Sequence, residues 1–170
     1  DGNSDGIDDL YIAGYYTNNV LRYDGITGTF IDEFVSSGLG GLNRPHHMEF
    51  DPTGGDLYVA SKSSDQVLRF DGTSGTFVAA IGNSAELSDP RDVTFGPDGN
   101  IYVSSHSSDK VVRYDGTTGA YIDDYIPAVS GGLSSPGALV FHNGDLFVSG
   151  GVAAGNGILR YGTTPEAVFT

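Results

Sequence analysis

The sequence holds no cysteine and no tryptophan, a single methionine, and only 8 Lys+Arg against 22 Asp+Glu. Each shortage excludes something. Without Cys there is neither a disulfide framework nor a Cys-based zinc site. A formal net charge of −14 repels phosphate backbones and anionic lipid, so no nucleic acid partner and no membrane insertion are expected, while solubility and cation binding are favoured. No apolar run approaches about 18 residues, which predicts no membrane-spanning helix. Apolar residues do not recur at helical spacing, so almost no helix is expected. There is no Asn-x-Ser/Thr acceptor, so N-linked glycosylation is not expected, although the Ser/Thr-rich turns leave O-linked sugar open. No GxSxG, Cys/His pair or phosphate-cradling glycine loop is present, and the chain reads as a non-enzyme. It opens at Asp1 inside a turn, with no initiator Met and no signal peptide, and reads as a mature product or piece of something longer.

What is present is glycine, aromatic residues and repetition. Twenty-six Gly, ten Tyr and nine Phe in 170 residues give enough apolar material for a core and many tight turns, a mixture that suits short strands. Four segments align: LYIAGYYTNNVLRYDG from Leu10, LYVASKSSDQVLRFDG from Leu57, IYVSSHSSDKVVRYDG from Ile101 and LFVSGGVAAGNGILRYG from Leu146. Their arginines, Arg22, Arg69, Arg113 and Arg160, stand 47, 44 and 47 residues apart. Between them recurs a second element, RPHHMEFDPTGGD, DPRDVTFGPDGN and SPGALVFHNGD, starting at Arg44, Asp89 and Ser135. A period near 45 filled by short strands marks propeller blades.

The expected class is therefore all-β: a single domain over 1–170, with repeats at about 1–35, 43–82, 88–127 and 134–170. Each repeat is read as a four-stranded antiparallel blade. The strands follow Pro45, Pro90 and Pro136, then the Tyr58-Val59-Ala60 type of segment, then Val67–Phe70, then Thr76–Ile81 and their equivalents. The DGTSG and DGTTG turns supply Asp and Gly where a hairpin needs positive φ. Ala13, Ala60, Ser104 and Ser149 are small enough to let neighbouring blades approach. The recurring arginines are read as packing residues.

The pattern of Pro, short apolar strand, Phe, PDGN, (I/L)YV, polar loop and V(L/V)R(Y/F)DG resembles the NHL-repeat family and its streptogramin-lyase-like and gluconolactonase-like relatives over essentially the whole chain. The resemblance implies a propeller fold and is almost silent on function. Propellers of that family usually close with about six blades, so four repeats imply part of a larger propeller, or a ring completed by identical chains.

One motif carries definite chemistry. Asp1-Gly2-Asn3-Ser4-Asp5-Gly6-Ile7-Asp8-Asp9 sets oxygen ligands at alternate positions around a sharp glycine bend, the arrangement a hard cation requires. Asp1, Asn3 and Asp5 offer side-chain oxygens, Ile7 its carbonyl and Asp9 a closing carboxylate. Ile12 stands where an EF-hand needs Glu, and a strand follows, so the loop resembles the calcium loops of integrin-type FG-GAP propellers. One structural Ca2+ is expected, at extracellular affinity; an acidic solvated turn is the plain alternative.

Other candidates are weaker. His46 and His47 follow Pro45, where propeller lyases place channel ligands, but the next blades carry Arg91-Asp92 and Gly137-Ala138, so no His ring forms. Strand alternation predicts that only one of the pair faces the channel. Glu49 is expected to pair with Arg91, and His106 and His142 to lie on the surface. Tyr15 and Tyr16 form the best aromatic contact surface, for sugar rings or protein.

Three functions follow: a non-catalytic extracellular module for protein or glycan, steadied by calcium; a self-assembling ring or filament protein of the cell surface; or a metal-dependent lyase or lactonase with a central-channel site built on His46 or His47 and Glu49. A secreted or cell-surface protein, of bacterial type, fits the first.

Overall fold

The structure is a computed structural model that describes residues 8–152, 155–162 and 167–168. Fifteen short strands among these residues form four separate antiparallel sheets. The first holds β1 (Leu10–Gly14), β2 (Asn19–Tyr23) and β3 (Phe30–Val35). The second holds β4 (Pro45–Phe50), β5 (Leu57–Ser61), β6 (Gln66–Phe70) and β7 (Phe77–Ile81). The third holds β8 (Pro90–Phe95), β9 (Ile101–Ser105), β10 (Lys110–Tyr114) and β11 (Tyr121–Ile126). The fourth holds β12 (Leu139–His142), β13 (Asp145–Val152), β14 (Gly155–Tyr161) and β15 (Ala167–Val168). Helix is confined to single 3-10 turns such as Lys62–Ser64 and His106–Ser108.

Each sheet is a meander of neighbours in sequence, because its turns are built to reverse the chain. In the β6–β7 turn the Asp71 carboxylate accepts the amides of Thr73 and Ser74 at 3.1 and 2.7 Å. Gly75 then takes φ 67°, a value that costs an L residue steric energy. A Cβ there would stand 1.8 Å from the carbonyl oxygen of Phe34 in the preceding sheet. The same Asp-to-amide turn recurs at Asp24 and Asp115.

The core lies between sheets. Phe34, Val35, Leu57, Val59, Leu68 and Phe70 fill the first junction. Tyr58, Ala60, Val67, Val93, Ile101, Val103 and Tyr114 fill the second. Tyr102, Val111, Ile126, Leu139, Val148 and Tyr161 fill the third. Period-2 alternation explains this: Leu57 and Val59 point to the preceding sheet, Tyr58 and Ala60 to the following one. The sheets are blades stacked face to face.

The recurring arginines clamp their own blades. Arg22 reaches Asp32, Arg69 reaches Asp56 at 2.7 Å, Arg113 reaches Asp123 at 2.6 Å and Arg160 reaches Asp145 at 3.8 Å. Arg22, Arg69 and Arg113 also lie over Phe34, Tyr58 and Tyr125. Their packing is thus within the blade.

A second repeated device joins blades. Asn18, Asp65 and Asp109 each adopt φ near 55° in the loop before the third strand. Their side-chain oxygens accept the amides of Arg44, Asp89 and Ser135 in the next blade, at 2.8, 2.9 and 2.7 Å. Those three residues also have positive φ, each just before a proline, so the bond holds a strained backbone in place. All three junctions carry this staple, and it fixes one rim of the stack.

Candidate functional site

That rim gathers the chemically distinctive side chains. Strand β4 pairs Pro45 with Ser61 and then Met48 with Val59, so two histidines stand opposite one residue of β5. This is a β-bulge, which re-aims side chains. Both His46 and His47 are exposed as a result, contrary to the strict alternation expected from the sequence. Strand β8 carries a matching irregularity between Pro90 and Asp92, which makes Arg91 the extra residue.

Three blades meet at Asp92. Its buried carboxylate accepts the amide of Leu139 from the next blade at 2.6 Å, and the other oxygen lies 2.5 Å from His47 Nδ1 of the blade before. The Asp92 amide donates to Ser104 Oγ. The contact with Asp92 holds the His47 imidazole above its ordinary pKa, against the opposing effect of burial. His46 is pushed the other way, first by burial and then by the positive charge of Arg91. Adjacent histidines thus differ: the contact with Asp92 outweighs burial at His47, whereas burial, reinforced by Arg91, prevails at His46.

Glu49 does not pair with Arg91, as the sequence had suggested. Burial raises the Glu49 carboxyl, against the opposing hydrogen bonds from Thr94 and the Phe95 backbone. Arg91 turns to Asp89 two residues away, at 3.3 Å. The bulge accounts for the difference, since it takes Arg91 out of register with the strand. His106, expected on the surface, is partly buried and places Nδ1 3.2 Å from the Pro136 carbonyl.

Tyr15 and Tyr16 stand at the same rim. Tyr16 is 87% exposed and its ring meets Tyr15 edge-on at 4.8 Å. Lys62 donates to the Tyr15 hydroxyl at 3.3 Å, and Arg44 lies 5.9 Å from the Tyr15 ring centre. Arg44, Lys62, Asp89 and Asp92 were not singled out from the sequence. Only the alignment of Arg91-Asp92 with His46-His47 hinted at them.

Two clefts open here. One of about 200 Å³ is lined by His46, His47, Arg91, Asp92, Gly137 and Ala138. Another of about 430 Å³ shares Arg91 and Gly137 with it and adds Ser134, Ser135, Ser149 and Asn156. Among the described residues no group of three or more His, Cys, Asp or Glu side chains is placed to hold a metal. Of the calcium-loop positions, Asp1, Asn3, Asp5 and Ile7 lie outside the described residues, and Asp9 stands just before β1. No helix among the described residues is long and apolar enough to cross a membrane.

No protein-family model matches the sequence, and no curated protein matches it. Solved structures do. The chain is similar to the hydrazine synthase of Kuenenia stuttgartiensis at 17% identity and TM-score 0.76, over 95% of this chain and 45% of that one. It is similar to a streptogramin B lyase at 18% identity and TM-score 0.72, over 96% and 51%. It also resembles a chain of a nidogen/laminin complex at 17% identity and TM-score 0.70, over 93% and 59%. The chain spans about half the length of these proteins, and at such identities the likeness is one of fold. The four stacked blades are those of a β-propeller, of the kind seen in streptogramin B lyase.

Proposed function

We propose that this protein is a non-catalytic binding module that acts outside the cell, and that the rim around Tyr15 and Tyr16 receives a protein or glycan partner. The observation that carries the reading is the 87% exposure of Tyr16 on a loop whose base is fixed to the next blade by the bond from Arg44 to Asn18. A large aromatic surface held out on a stapled loop is suited to contact, since little order is lost on binding. Of the side chains nearby, His47 is engaged by Asp92 and Glu49 by Thr94. A glycan array and a pull-down with wild-type protein and Tyr16→Ala test it. A partner whose capture depends on Tyr16 is expected, and hydrolase or lyase activity lost with His46 and His47 would overturn it.

Calcium belongs to the same proposal, as a structural ion in the Asp1–Asp9 loop. A rise in melting temperature with millimolar calcium, abolished by Asp5→Ala, is the expected result; no shift removes the ion.

Self-association is a second reading, favoured by the exposed apolar outer faces at the two ends. Leu10 and Ile12 at one end match in repeat position the buried Leu57 and Val59 that pack against the blade before them. A second copy presenting its fourth blade would cover them head to tail. Light scattering over a concentration series decides it, since a strict monomer removes this reading.

A further inference from the structure

The eight basic side chains of this acidic chain are not spread evenly. Arg22, Arg69, Lys110, Arg113 and Arg160 each hold an aspartate of their own blade. The other three, Arg44, Lys62 and Arg91, come together at the rim beside Tyr15. Lys62 and Arg91 share the single carboxylate of Asp89, at 3.6 and 3.3 Å. Arg44 has no ion pair among the described residues and lies over the Tyr15 ring. Two further carboxylates stand nearby: Asp92, engaged by His47 and the Leu139 amide, and Asp65, which accepts the Asp89 amide. Three cations therefore gather at a rim that also holds the Asp65, Asp89 and Asp92 carboxylates, in a chain of net charge −14.

The His46 pKa is lowered first by burial and then by Arg91, with Asp89 acting against them and Lys62 adding a smaller push. The Arg91 Nε is buried and has no hydrogen-bond partner among the described residues, while its Nη2 reaches Asp89. An exposed guanidinium or ammonium group binds anions through charge-assisted hydrogen bonds.

The adjoining cleft narrows the kind of anion. Ser134, Ser135, Ser149 and Asn156 line it together with glycines, so it offers hydroxyl and amide groups and almost no apolar side chain. That lining suits a ligand rich in hydroxyls better than an acidic peptide with apolar side chains. The exposed Tyr16 ring adds a flat face for the carbon–hydrogen side of a sugar.

We propose that the rim of Tyr15, Tyr16, Arg44, Lys62 and Arg91 binds acidic saccharides, with uronate-type carboxylates set against the cations and a sugar ring on Tyr16. This rests on the binding-module reading and names its ligand class. The test is titration calorimetry of the whole chain with oligogalacturonate, with its methyl-esterified neutral form, and with a poly-glutamate peptide of similar charge. The acidic sugar is expected to bind, with affinity falling as salt rises, and to bind at least about tenfold tighter than either comparator. Arg44→Gln, at an exposed position without an ion pair, and Lys62→Gln should each weaken it several-fold while circular dichroism stays unchanged. Equal binding of the neutral ester, tighter binding of the peptide, or undiminished binding by both variants overturns the proposal. If the acidic sugar fails while the array yields another Tyr16-dependent partner, the ligand class is wrong and the binding module stands. A blank in both experiments removes both.

Discussion

Leu57 and Val59 in the second blade are completely buried, whereas Leu10 and Ile12, at the same repeat positions in the first, are 53% and 43% exposed. At the other end Val67 is completely buried and its counterpart Ile158 is 67% exposed. The side chains are alike and the strands pair in the same register. What differs is only whether a blade stands in front. The contrast teaches that a blade of this protein does not bury its own apolar faces; the stack does, junction by junction.

That contrast can be broken at its interior first. Asp92→Ala should cost the most, roughly 3 kcal/mol, because it strands the buried Leu139 amide and removes the His47 contact in one step. Urea denaturation measures it, and Asp92→Asn, which keeps an acceptor for Leu139, should recover part of the loss. Next comes the staple. Asp65→Ala deletes the acceptor for the Asp89 amide and should cost about 1 kcal/mol. Asn156→Ala, at the equivalent place in the last blade, should leave stability within about 0.5 kcal/mol, as for an ordinary surface change. Equal losses for the two would mean that the staple contributes nothing.

The smallest effect is one of pH. The folded pKa of His47 is raised by Asp92, so its contribution is fully present below the unfolded value and is lost as pH rises through the folded one. The stability gap between wild type and His47→Gln should be wider at about pH 5.5 than at about pH 8, on either side of the ordinary histidine range. Since half of the His47 side chain meets solvent, screening keeps the change small.

Much of the fold was legible in the sequence because its signals are local. The four-strand unit follows from alternation in LYVAS and VLRF and from the Asp and Gly of the DGTSG turn, where Gly75 does take positive φ. The stacking direction was less legible, since nothing in Leu57 itself says which neighbour it meets. The site was harder still. That His46 and His47 are both exposed depends on the bulge between Pro45 and Met48, which no residue type announces. The Glu49–Arg91 expectation failed for the same reason at β8. The staple was in plain view as Asn18, Asp65 and Asp109 of the aligned loops, yet a polar residue in a polar loop gives no sign that it caps an amide 24 to 26 residues away. The cation cluster depends on contacts across blades, between Tyr15, Lys62 and Asp89, and sequence spacing does not encode them.

The most direct measurement compares Leu57→Ala with Leu10→Ala by urea denaturation of the 170-residue chain. If burial between blades holds the molecule together, the first substitution costs about 3 kcal/mol and the second less than about 1. Equal losses at the two positions would contradict the account, because leucines identical in strand and register would then be stabilised without regard to the blade that covers one of them.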